Sequence, residues 1–209
     1  MKKIIIARIH LHLEKYLRRA ITHFEKEDYP FSFFCGSTLV EEIGKIGTIG
    51  MVDFAVKNGI LEGRLDLTGK DAQRKFRMHR SKQIAAVALT LHVNSRVSRI
   101  YREAEKRFAR WYRKEEFFRK RNESLYVEII DAEALQVPED VISMDDAFLM
   151  TCMAGECLAE IQGEMISSEN SEHERILSLV EEFRESNMSI LERIRNEESN
   201  KSMASDVDG

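Results

Sequence analysis

Apolar side chains at Ile5, Ile9, Leu13, Tyr16, Leu17, Ala20, Ile21 and Phe24 recur at steps of three and four. This spacing places them on one face of an amphipathic helix and turns Lys15, Arg18 and Arg19 elsewhere. Glu27-Asp28-Tyr29-Pro30 predicts the end of that helix, because a residue before proline is pushed out of helical geometry, and a connection should run to Gly36. Ser37-Thr38-Leu39-Val40-Glu41 then offers a capping hydroxyl followed by a carboxylate, the signature of a helix start. That helix is expected to be short and to break around Gly44, Gly47 and Gly50. A second short helix, from about Met51 to Lys57, should stop at Asn58-Gly59.

Arg64-Leu65-Asp66-Leu67 alternates polar and apolar positions, Thr68 to Ala72 supplies turn residues, and Gln73 to Met78 alternates again. The pattern predicts a small basic hairpin. A long helix is expected from about Ser81 to Arg121, with Val93, Val97, Tyr101, Ala104, Phe108 and Trp111 as its seam. Ser124 to Ile130 is rich in strand-forming residues but has no second strand beside it in the pattern, and its state stays open. A helix over roughly Met144 to Met165 and a turn at Ser167 to Ser171 lead to the last helix. There Ile176, Val180, Phe183, Asn187, Ile190 and Ile194 follow a heptad rhythm, with a polar tail after Asn196 that should fray. The fold class is mainly α: a helical bundle with long helices, a small β-hairpin and a coiled-coil-like C-terminal helix.

Only 2 Pro and 10 Gly in 209 residues permit long helices, and 43% hydrophobic with 33% charged residues describes a folded, surface-charged chain. The net charge of −4 conceals a division. Residues 1–122 hold 27 Lys or Arg against 14 Asp or Glu, a net of +13, whereas residues 123–209 hold 5 against 22, a net of −17. Two regions are therefore expected, a basic helical one (1–122) and an acidic helical one (123–209). Cys35, Cys152 and Cys157 form no dense framework, which fits thiols in a reducing, cytoplasmic compartment. The least polar stretch, Ile84 to Leu91, is far short of the roughly 20 residues a bilayer requires, so no membrane span is expected.

The order of parts from Thr38 to Leu91, two short helices joined at glycines, a basic hairpin and a helix, resembles the winged-helix DNA-binding module of excisionases and mercury-resistance-type regulators. The resemblance implies that Thr48 and Lys57 flank a reading helix and that Arg64, Lys70, Arg74, Lys75 and Arg77 contact phosphates. Phe54 and Ala55 depart from the polar residues that family carries on the reading helix.

A second set of cations, including Arg110, Arg113 and Lys114, runs along the expected long helix between Tyr101, Phe108, Trp111, Tyr112, Phe117 and Phe118. Cations neutralise phosphates and aromatic faces stack on bases, so this set also suits nucleic acid. The alternative is that the aromatics are core and the cations pair with the acidic C-terminal helices.

His10 and His12 point to different faces of a helix and cannot share a metal ion. No phosphate-cradling glycine loop, nucleophile elbow or metalloprotease helix is present. The expectation is a non-enzymatic protein without cofactor, metal or catalytic residues, binding nucleic acid, DNA in the first instance. It should form a homo-oligomer through Ile176, Val180, Phe183, Asn187, Ile190 and Ile194. The competing expectation is a helical adaptor or assembly subunit whose basic and acidic surfaces meet a protein partner.

Overall fold

A computed structural model of the chain describes residues 2–57, 82, 86, 90, 96–113, 116–129, 135–165 and 170–205. Its elements run α1 (Lys2–Glu25), α2 (Tyr29–Lys57), α3 (Arg96–Glu103), α4 (Glu105–Arg113), α5 (Glu116–Glu123), β1 (Glu128–Ile129), β2 (Leu135–Gln136), α6 (Pro138–Val141), α7 (Met144–Met165), α8 (Asn170–Ser186) and α9 (Met188–Ser205). The mainly helical class expected from the periodicity is the class found. The segment left open is a minimal antiparallel ladder, with Glu128 opposite Gln136 and Ile129 opposite Leu135.

Helix α1 buries the stripe its spacing announces: Leu13, Leu17, Ala20, Ile21 and Phe24. It packs on α2 and α7, and α2 and α7 pack along each other at the centre. The turn between α1 and α2 is tighter than the expected connection to Gly36. Glu27 takes a left-handed φ of 62°, and Pro30 stands in the first turn of α2, where its missing N–H costs nothing. The Asp28 carboxylate accepts from the Phe31 N–H at 3.2 Å and contacts His23 Nδ1 at 2.9 Å, which joins the two helix ends.

The two short helices expected between Ser37 and Lys57 are one continuous helix. Glycine in this stretch serves close packing rather than turning. A Cβ on Gly36 would lie 2.9 Å from Met150 Cγ of α7, and one on Gly44 would fall within the backbone of Lys82. Helical contacts to neighbouring elements thus outweigh the propensity cost of glycine, about 1 kcal/mol each. The described residues Lys82, Ala86 and Thr90, four apart, are helical and buried, so one face of that stretch lies against the core.

The long helix expected from Ser81 to Arg121 is divided at Ala104, and its described parts are α3, α4 and α5. Its seam is core all the same: Val97, Ala104, Phe108 and Trp111 are buried. Trp111 meets Phe108, Phe33 and Phe117 edge-on at centroid distances of 5.2, 5.7 and 6.2 Å. These rings belong to the interior, not to a base-stacking surface.

The last helix is likewise two. Asn187 Nδ2 donates to the Phe183 carbonyl at 2.8 Å, taking the acceptor that a continuing helix would offer to the Asn187 N–H. That N–H turns to Arg184 O at 3.1 Å, and α8 gives way to α9. Helix α9 then extends to Ser205, where a frayed tail was expected after Asn196. A single hydrophobic cluster includes residues from α1 through α9, drawing on both the basic and the acidic regions.

Gly44→Ala should test the close-packing role. A methyl forced into the Lys82 backbone is expected to destabilise by about 1–3 kcal/mol, although alanine is the better helix former by about 1 kcal/mol. Equilibrium denaturant unfolding measures this, and a more stable variant would show that glycine is merely tolerated there.

Candidate functional site

Glu156 on α7 is fully buried. A carboxylate cannot stay ionised in such a place without cations, since an unpaired buried charge costs several kcal/mol. Two guanidinium groups reach it: Arg96 Nε donates to Oε2 at 2.8 Å, and Arg184 Nη1 donates to Oε1 at 3.2 Å. The pairing continues outward. Arg96 also donates from Nη2 to Glu181 at 2.5 Å and from its backbone N–H to Glu160 at 2.5 Å. Burial opposes the Arg96 charge, but its hydrogen bonds with Glu181 and Glu156 outweigh that cost and raise its pKa.

On the other side, Glu103 Oε1 receives Arg195 Nη2 at 2.8 Å and lies 3.5 Å from Arg184 Nη2. Helices α3, α7, α8 and α9 are therefore tied by one alternating chain of charges. Separate pairs add to it: Arg107 with Asp145 and Glu197, Arg193 with Asp145, Lys120 with Asp146 at 2.8 Å, and Arg175 with Glu14. The basic and acidic regions meet within one chain.

Beside this network, Arg99, Arg102, Glu103, Arg195 and Ser199 line an open cavity of about 410 Å³ between α3 and α9. The thiols are placed differently. Cys35, Cys152 and Cys157 are free and buried. Burial pushes the Cys35 thiol up to about 11 and the Cys157 thiol up to about 12, and it raises Cys152 as well. None is a thiolate near neutral pH, so none is a ready nucleophile.

The residues singled out in the sequence fall into three groups. Thr48 and Lys57 lie on the continuous helix α2, with no reading helix separate from it, and their side chains are outside those described. Arg64, Lys70, Arg74, Lys75, Arg77 and Lys114 lie outside the described residues. Arg113 ends α4 with its side chain likewise outside, and Arg110 is half exposed and paired with Glu116 at 3.0 Å.

The seam expected to join a second copy is turned inward: Ile176, Val180, Phe183, Ile190 and Ile194 are buried within the chain. Phe183 packs edge-on against Phe24 at 5.1 Å and against Phe148 at 5.7 Å, and Val180 closes over Gly155. Asn187 divides α8 from α9 and does not set the register of a coiled coil. That cations of the expected long helix pair with the acidic C-terminal helices is the alternative the sequence offered, and Arg96, Arg107 and Lys120 do so. The individual partners and the arginine-lined cavity were not legible, because their members are far apart in the chain.

Fold and site together define an all-α domain whose helices are cross-tied by buried charge. A family model matches residues 5–159: HEPN_AbiV, described as AbiV. The chain belongs to this family, an abortive-infection group with a HEPN-type all-helical domain. No curated protein matches the chain. No solved structure matches it either.

Membership corrects two expectations. The winged-helix likeness over residues 38–91 is overturned, since the family model covers that stretch with an all-helical domain and α2 runs unbroken through the expected helix junction. The expectation of a non-enzymatic protein is overturned as well, because HEPN-type domains are typically RNase-type enzymes. No described helix is long and apolar enough to cross a membrane.

Glu156→Ala should leave Arg96 and Arg184 without their buried partner and lower stability by about 3–5 kcal/mol. Chemical unfolding tests this, and an unchanged midpoint would show that the network contributes little. The thiols give a second test. Their folded pKa values exceed the unfolded value of 9.0, so their contribution to stability is complete below pH 9 and is lost as pH rises toward 11 and beyond. At pH 8 a charged disulfide reagent should therefore modify them only at the rate of unfolding. Fast modification of the folded chain would contradict their burial.

Proposed function

We propose that this chain is an RNase-type protein that cleaves the RNA backbone by acid–base chemistry. Its catalytic groups in this reading come from the basic segment around residues 64–80. Family membership carries the proposal, because HEPN-type domains are typically RNases. The composition of that segment supports it. Arg64, Lys70, Arg74, Lys75 and Arg77 are followed at once by His79, five positions after Arg74.

RNA supplies its own nucleophile in the 2′-hydroxyl. Cleavage requires a base to take that proton, cations to stabilise the charge developing on the phosphoryl oxygens, and an acid for the departing 5′-oxygen. An imidazole exchanges protons near neutral pH, and guanidinium groups hold phosphate oxygens in a fork. As the P–O2′ bond forms, the P–O5′ bond breaks, leaving a cyclic phosphate and a free 5′-hydroxyl. In this reading His79 transfers the proton, Arg74 steadies the phosphoryl group, and the other cations of the segment hold flanking phosphates. His23 is held by Asp28 in the α1–α2 turn and has no part in the reaction.

Two copies form the working unit, as HEPN-type domains commonly dimerise. The interface is not the α8–α9 seam, whose side chains are buried within the chain. The adaptor reading is disfavoured by the same charges that suggested it, because they pair internally.

The test is incubation of the full chain with labelled single-stranded RNA and with its DNA counterpart. RNA alone should be cut, with cyclic-phosphate ends. His79→Ala and Arg74→Ala should each lower the rate by about 10²–10⁴-fold with helicity retained, while His23→Ala keeps it. Absence of cleavage by the unmodified chain, full activity in His79→Ala, or equal cutting of DNA would overturn the reading.

A further inference from the structure

Helix α9 is held in two different ways along its length. Its first half is anchored by Ile190, Leu191 and Ile194, all buried. Beyond Ile194 no described side chain is buried: Arg195, Asn196, Ser199 and Asn200 are exposed and Glu197 is half-buried. The sequence there, Arg195-Asn196-Glu197-Glu198-Ser199-Asn200-Lys201-Ser202, has no apolar residue, and four of its members are Asn or Ser. Such residues are poor helix formers in a helix interior, so a segment this short would not hold a helix by itself. The helix nevertheless runs to Ser205.

Two ion pairs supply what the local sequence lacks. Arg195 Nη2 donates to Glu103 of α3 at 2.8 Å, and Glu197 accepts from Arg107 Nη2 of α4 at 3.1 Å. The α9 side chains of both pairs are well exposed, Arg195 at 44% and Glu197 at 43%. Exposed pairs each contribute little and are screened by salt, whereas the apolar burial that anchors the first half requires no charge. The packing beneath the second half is open. A cavity of about 410 Å³ separates Arg99, Arg102 and Glu103 on one side from Arg195 and Ser199 on the other, so α9 stands off α3 there. The whole of this segment lies beyond residues 5–159, which the family model matches.

We propose that the second half of α9 is a strap that masks Arg107 and Glu103, and that it lifts by unwinding beyond Ile194 while the rest of the chain stays folded. The division falls at Ile194 and not at Asn187, because a swing of the whole helix would uncover Ile190, Leu191 and Ile194. With the strap down, Arg107 lies between two carboxylates, Asp145 and Glu197, and its side chain is 14% exposed. With the strap lifted, Arg107 keeps Asp145 but turns its other nitrogen to solvent. Glu103 then keeps the longer contact with Arg184, at 3.5 Å. Ionic strength sets the balance, since screening weakens the two exposed pairs and leaves the apolar anchors in place. A carboxylate of the acidic region thus covers a cation of the basic one until the strap opens. The device involves none of the residues at 64–80 and does not rest on the cleavage reading.

Hydrogen exchange of the full chain, followed by mass spectrometry at low and at high sodium chloride, tests the strap. Exchange at residues 198–205 should speed up by about two- to fivefold for each pair screened, while α7 keeps its rate. Glu103→Gln changes nothing in the sequence of α9, yet it should speed exchange at 198–205 in low salt and reduce the salt dependence. Should that variant fail to fold, Glu197→Gln, at an exposed side chain, carries the same expectation. Glu192→Gln removes an exposed α9 carboxylate that has no described ion pair, and it should leave the exchange as it was. An arginine-selective dicarbonyl reagent gives a second readout: Arg107 should be labelled faster in high salt and in Glu197→Gln, with exposed Arg99 as the reference.

Salt-independent exchange at 198–205 would overturn the proposal, as would equal acceleration by Glu192→Gln. So would acceleration of α7 in step with 198–205 in the unmodified chain, because the strap would then open only with the whole fold. Labelling of Arg107 that ignores both salt and Glu197→Gln would overturn the masking.

Discussion

A carboxylate in the middle of a helical core imposes a condition on everything around it, and Glu156 sets that condition here. It needs two guanidinium groups, one from α3 and one from α8, at hydrogen-bonding distance. Arg96 can serve only if α3 lies along α7, and Arg184 only if α8 lies across it. The remaining valences of both arginines then recruit Glu181 and Glu103, and Glu103 recruits Arg195 of α9. A buried ion pair of this kind adds little net stability over a well-packed apolar core. Removing one member, however, strands the others, so it constrains how the helices assemble.

The same pairing changes the meaning of the chain's lopsided charge. A region of +13 beside one of −17 suggests two surfaces, each looking outward for a partner. In the folded chain Arg96, Arg107 and Lys120 of the basic region are turned onto carboxylates of the acidic one, joining α3, α4 and α5 to α7, α8 and α9. Few of the described cations are left unpaired. Arg99 and Arg102, at one cavity, are among them, which is why that cavity stands out.

Glycines and the asparagine tell a similar story about packing. Gly36 and Gly44 lie inside a continuous helix because Met150 and the Lys82 backbone come too close for a side chain. Asn187 interrupts a helix because its amide captures the carbonyl four residues back. In each case the residue type was conspicuous in the sequence, but its effect depended on what lay opposite it.

The sequence by itself determined the helical class, the buried stripe of α1, the apolar seam of Val97, Phe108 and Trp111, and the helix from Met144 to Met165. These follow from periodicity, a property of a helix considered alone. The excess of cations over residues 64–80 and the presence of His79 among them are also plain in the sequence. Only the tertiary structure decided that Ile176, Val180, Phe183, Ile190 and Ile194 face the chain's own core, and which arginine meets which glutamate. An amphipathic stripe states that a face must be covered, not by what. The partners of Arg96 stand 60 and 85 positions away at Glu156 and Glu181, and no local pattern relates residues at such separations.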